Sequence, residues 1–216
     1  MTRISWERFA ALAGVAFVIL YVAAFGLGIE VGDSDRKILA YYANSGHRTK
    51  EIVAFFLIAG AALALLVFAT ALRSLIAKAE QETAMLAAIA WTGGIASAVL
   101  VLAGDAVSRA TAYTALDDKF RLDPSTRRLF EDTGFLLFAS AALAAILLVV
   151  AVSLAALRYG ILPRWLGWSG LPAAALLTLG IVFVGFLVLA AWVLTVSAAL
   201  ALRRSTITAA QAGAKP

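Results

Sequence analysis

Two pairs of side chains in this sequence are spaced so that they could do chemistry. His47 and Glu51 stand four residues apart, and so do Asp105 and Arg109. On a helix, positions i and i+4 share a face. An imidazole beside a carboxylate can begin a metal site, although zinc needs three or four such ligands. A carboxylate beside a guanidinium makes an ion pair, and when held at membrane depth it becomes a candidate binding site. Glu131 and Asp132 supply further carboxylates a little downstream. The candidate binding residues are therefore Asp105, Arg109, Asp132, His47 and Glu51. Asp105 or Asp132 completes a metal set only if the fold carries it to His47 and Glu51, so no metal is expected. Each group also has a plainer role. His47 can cap the helix it opens, and Asp105, Arg109, Glu131 and Asp132 can form a solvated ion-pair rim where two helices leave the lipid.

The elements that position these residues are apolar and long. The chain has 216 residues, of which 63% are hydrophobic and 14% charged, with a mean hydropathy of +0.94. Soluble domains are closer to half apolar and a quarter charged. Segments 9–29, 52–72, 84–104, 135–157 and 171–202 carry no charge at all. A hydrocarbon core of ~30 Å takes about 20 apolar residues as a helix. In lipid only helices or closed barrels satisfy the backbone, and these runs lack the alternation of a barrel. The fold class is all-α: a polytopic transmembrane helix bundle, one domain over 1–216. Ten of the thirteen acids fall in two polar segments, 30–51 and 105–134.

The first helix covers about 9–29. A brief amphipathic helix follows, with Asp33, Ser34 and Asp35 as its N-cap cluster and Tyr41 and Tyr42 at headgroup level. Asn44, Ser45 and Gly46 break it. A second long helix runs from about 47 to 76, and a short polar connection leads to a third, 84–104, which Asp105 and Arg109 can extend. Asp123 and Pro124 read as N-cap and N1 of a fourth long helix that enters the membrane at Phe135 and ends near Arg158. The stretch 165–202 is ambiguous. As one helix it is about 57 Å long, far more than the core needs. As two, each half is near the lower limit for a span, and the turn between Gly180 and Gly185 has no polar residue. Six spans are preferred and five are the alternative. In the six-span arrangement each face carries nine Lys and Arg, but ten acids lie on one face and three on the other. The acid-rich polar segments are then outside, and both termini are cytoplasmic with the short loops and Arg203-Arg204.

The string 161–170, ILPRWLGWSG, is a membrane-interface entry, with proline at a helix start, Arg164 toward lipid phosphates and Trp165 and Trp168 at the headgroups. This string, together with AYYANSGHR before the second long helix, ALRSLIAKAE after it and AAWVLTVSAALALRR near the end, resembles multi-span inner-membrane proteins common in actinobacteria, of the domain-of-unknown-function type. The resemblance implies a six-helix bacterial inner-membrane protein and no particular activity.

With no cysteine, disulfides, thiolate metal sites and lipid anchors on cysteine are excluded. A single histidine excludes a haem held by two histidines of one chain. There is no phosphate-binding loop, dinucleotide fingerprint, HExxH or GxSxG. No cofactor and no catalytic residue is expected. The pI of about 9.8 fits attraction to an anionic leaflet better than nucleic acid. The preferred function is a non-enzymatic membrane protein whose outer polar cap binds lipid or a partner, either another membrane protein or a second copy. A transporter or channel is the alternative, and a membrane-embedded enzyme acting on lipid is the third reading. Because the native chain has no cysteine, topology is directly testable. Cysteines placed at Ser45 and at Ser125 should both react with an impermeant maleimide in intact cells, and reaction at only one contradicts this topology.

Overall fold

The computed structural model describes residues 6–27, 34–81, 83–117, 119, 121–179 and 184–213. Its helices are α1 Trp6–Gly26, α2 Asp35–Ala43, α3 Ser45–Glu80, α4 Met85–Thr114, α5 Pro124–Tyr159, α6 Arg164–Leu177 and α7 Val184–Gly213. Five of them, α1, α3, α4, α5 and α7, are long and apolar enough to cross a membrane. Their outer surfaces are as apolar as their interiors: Leu12, Ile19, Phe56, Leu63, Leu136 and Leu187 are all exposed. A helix that is hydrophobic all round belongs in a large core or a bilayer.

Local chemistry sets the helix ends. Asn44 alone separates α2 from α3, and its Oδ1 accepts a hydrogen bond from Gly46 N at 2.8 Å. Ser45 and Gly46, expected to extend the break, already belong to α3. Asp123 caps α5 as expected, accepting from Ser125 N and Thr126 N, with Pro124 in the first turn. Gly160 closes α5 with φ +63, the left-handed conformation glycine adopts at no steric cost. The loop from α3 to α4 is tied by Glu80, whose carboxylate accepts from Leu86 N at 3.0 Å and Ala87 N at 3.2 Å.

The first four long helices, α1, α3, α4 and α5, alternate in direction. α3 packs between α1 and α4, and α4 has its most extensive contact with α5. Small residues permit this approach. A Cβ on Gly93 would lie 2.6 Å from Leu148 N, and one on Gly104 would lie 2.8 Å from the Gly134 carbonyl. Close approach without bulky side chains is how helices gain dispersion contacts in lipid. The end of the bundle holding α2, the start of α3, the end of α4 and the start of α5 is called the cap end below.

Contacts fix the direction of the last two helices. Gly167 and Gly170 of α6 both face Ser153, near the end of α5, so α6 starts opposite the cap and runs back along α5. Phe186 of α7 meets Phe138 edge-on at 5.5 Å, and Phe138 also borders Gly104 near the cap end. Trp192 lies beside Gly170, and Ser197 faces Gly14, early in α1. α7 therefore runs from the cap side back toward the opposite end, antiparallel to α6. The break expected between Gly180 and Gly185 falls largely on residues 180–183, which lie outside the described residues. α6 has only 14 residues, about 21 Å of helix.

The tight glycine contacts yield a prediction. Gly134→Val should push α5 off α4 and cost about 1–3 kcal/mol, the usual range for overpacking. Gly26→Ala, where an added Cβ meets nothing within 4 Å, should be neutral. Thermal denaturation in detergent compares the two, and equal losses would contradict the packing account.

Candidate functional site

The cap end gathers most of the charged side chains singled out by spacing. The first two turns of α3 carry His47, Arg48 and Glu51. The last turns of α4 carry Asp105 and Arg109. The first turns of α5 carry Arg127, Arg128, Glu131 and Asp132. α2 lies across these ends. Its Ile38, Tyr41 and Tyr42 are buried in a small apolar cluster with Ala112, against Ala115 and Leu122.

Beneath α2 the charges are paired in a chain of contacts. Arg109 Nε donates to Asp105 Oδ1 at 2.8 Å. Glu51 accepts from the Tyr42 hydroxyl at 3.3 Å, and the Tyr41 hydroxyl reaches the same carboxylate. Glu51 also lies within electrostatic reach of Arg109 and Arg127. Arg127 Nε donates to the Tyr42 hydroxyl at 3.5 Å, its guanidinium lies 5.9 Å from the Tyr42 ring centre, and it pairs with Glu131. Arg128 pairs with Asp35 and so ties α2 to α5. Arg48 Nη1 donates to the Tyr42 carbonyl at 2.7 Å. The two tyrosines are held neutral. Burial, followed by the nearby Glu51 charge, pushes Tyr42 up to about 12 and raises Tyr41 as well. Both are therefore hydroxyl donors at any physiological pH.

Asp105 was expected on a solvated rim, but it is only 2% exposed. The rim reading fails for it because α4 continues past the uncharged run and the neighbouring helices close around the carboxylate. Arg109 is at its side as the spacing predicted, and Glu51 is close enough to act on Arg109. Asp132 is exposed, and its neighbour Glu131 takes the ion pair with Arg127 instead. His47 turns to α2: its ring stacks on Tyr41 at 4.5 Å and its Nδ1 lies 3.3 Å from the Tyr41 carbonyl. Among the described residues, no group of three His, Cys, Asp or Glu could hold a metal.

The sequence reading missed Arg127, Tyr41 and Tyr42 as members of the cluster. The tyrosines were placed at the headgroups, yet both are buried. The signal for them was the apolar face of α2, where Ile38, Tyr41 and Tyr42 recur at helical spacing; that face needed a surface to cover. Among known proteins, no family model, curated sequence or solved structure matches this chain.

The buried pair can be told from a surface pair by mutation. Asp105→Leu should leave Arg109 without its hydrogen-bonded partner, with only the more distant Glu51 charge to offset it, and cost up to about 3–5 kcal/mol, whereas an exposed pair would cost about 0–1 kcal/mol. Asp105→Leu with Arg109→Met should recover most of the loss, since apolar replacement of a whole buried pair is often neutral. Reversible unfolding in bicelles measures both, and a double variant as unstable as the single would contradict the assignment.

Proposed function

We propose that this chain is a non-enzymatic, multi-pass protein of a bacterial inner membrane, whose outward-facing cap binds a partner or lipid. In this reading α6 and α7 are the last two of six passes, α2 lies at the outer interface, and both chain ends are cytoplasmic. The reversal of direction between α6 and α7 supports it, because it returns the C-terminal helix to the side where α1 begins. The distribution of acids supports it too.

The observation that carries the binding function is the outer surface of the cap. Beneath it the charges are paired. On it, Leu129 and Phe130 of α5 and Tyr113 and Leu116 at the end of α4 are exposed. Leu129 and Phe130 stand beyond Phe135, where the uncharged run of α5 begins, so the lipid core does not account for them. Exposed Arg36, Lys37 and Arg121 lie on the same end. Exposed Asp117, Glu131 and Asp132 share this end; large apolar side chains ringed by polar ones mark interaction surfaces, and the basic groups among them suit anionic headgroups. A base held by the buried Asp105 carboxylate and the Tyr42 contacts to Glu51 and Arg127 presents this surface with less ordering on binding, which lowers the entropy lost.

A second reading, a transporter, draws on α6. It is short and contains Pro172, and interrupted passes often mark substrate sites in transporters. The cap reading is tested in protein purified in native lipid. Leu129→Ser with Phe130→Ser should leave the detergent-state thermal midpoint unchanged while removing a co-purifying protein or the extra stabilisation given by anionic lipid over neutral lipid. If native lipid, anionic vesicles and neutral detergent all leave the wild-type midpoint the same and nothing co-purifies, the cap reading is wrong.

A further inference from the structure

Two buried polar atoms remain without a hydrogen-bond partner among the described residues on the inner side of the cap: the Tyr21 hydroxyl and Asp105 Oδ2. Tyr21 is 4% exposed and Asp105 2%. Leaving either group unsatisfied is costly, more so for a charged one. One is a donor without an acceptor, and the other is an acceptor without a donor.

The helix register puts them at one depth. Gly94 of α4 packs on Ala69 of α3. Moving toward the cap by equal steps along these antiparallel helices brings Asp105 opposite Ile58. A Cβ on Gly60 of α3 would lie 3.2 Å from Leu20 of α1, so Tyr21 stands beside the same part of α3. The two helices carrying these groups flank α3 from different sides, and the Asp105 charge acts on the Tyr21 phenol.

We propose that the Tyr21 hydroxyl and Asp105 Oδ2 form an internal site for a small neutral hydroxylic guest, occupied by water, that accepts from the phenol and donates to the carboxylate. The charge balance selects a neutral guest. Arg109 already pairs with Asp105 through Oδ1 and also acts on Glu51, so the site has no spare carboxylate to hold a cation, and an anion would face the carboxylate. The helical backbone around the site has its carbonyls engaged in the helices and offers no oxygen cage for a metal ion. A water takes about three hydrogen bonds in such places and is costly to remove. The guest enters from the cap side, where the Arg109 side chain is 21% exposed; below Tyr21 the described core is overwhelmingly apolar. This site is independent of the cap surface and stands or falls without it.

The test has two parts. A crystal structure from lipidic mesophase that resolves waters should show a peak within hydrogen-bonding distance of both atoms. A double-mutant cycle of Tyr21→Phe and Asp105→Asn should be non-additive. Each single change should lower the thermal midpoint, and the pair should lower it no further than the larger single effect. Direct contact between hydroxyl and carboxylate, an empty gap, or additive losses would each overturn the proposal. Tyr21→Phe keeps the ring that stacks on Phe17 at 5.4 Å, so a folded variant is expected.

Discussion

Two carboxylates withdrawn from water, Glu51 and Asp105, dictate how one end of this bundle is built. Moving such an ion out of water costs several kcal/mol even after the protein relaxes. Each must therefore be met by fixed donors, and the donors come from different helices. Arg109 of α4 serves Asp105 and acts on Glu51 of α3. Tyr42 of α2 donates to Glu51 and accepts from Arg127 of α5. Four helices are held in mutual register by these requirements. Lipid packing alone could not do this, because hydrocarbon is as apolar as the side chains it touches.

The charge cluster in turn depends on how closely the helix backbones approach. Gly104 and Gly134 bring α4 and α5 nearly into backbone contact just below the cap, so Asp105, one residue on from Gly104, is enclosed by its neighbours. α2 completes the enclosure. It is short, and its hold on the bundle is a handful of polar contacts and three buried side chains, Ile38, Tyr41 and Tyr42.

What could be read from the sequence follows the range of the interactions involved. Long uncharged runs announce membrane helices because a bilayer tests every residue for about 20 positions in succession. The Asp105–Arg109 pair and the Asp123 cap could be read because both are local, four residues or fewer apart. The contact of Arg127 with Tyr42 could not, because it spans 85 positions and exists only once α2 lies over α5. His47 shows the same limit: its spacing suggested Glu51, but the ring of Tyr41 in the preceding helix is a better surface. The burial of Asp105 was hidden for another reason. The sequence places it at the boundary of an uncharged run, and only the packing of α3 and α5 against α4 decides on which side of the water boundary it falls. The last region was ambiguous because a uniformly apolar stretch contains no residue whose chemistry demands an end.

The brevity of α6 has a consequence for the surrounding lipid. Its 14 residues reach about 21 Å, against a hydrocarbon thickness of about 30 Å. If α6 is a membrane pass, as proposed, exposed Trp165 and Trp168 anchor its start at one interface and the shortfall is displaced to the other leaflet. A bilayer meeting this flank is compressed locally, at fractions of a kcal/mol per ångström of mismatch. The opposite flank, built on the 36-residue α3, imposes no such compression. In the six-pass reading the protein acts as an asymmetric wedge on membrane thickness, and it should favour thin bilayers and gather shorter or more disordered acyl chains along the α6 side.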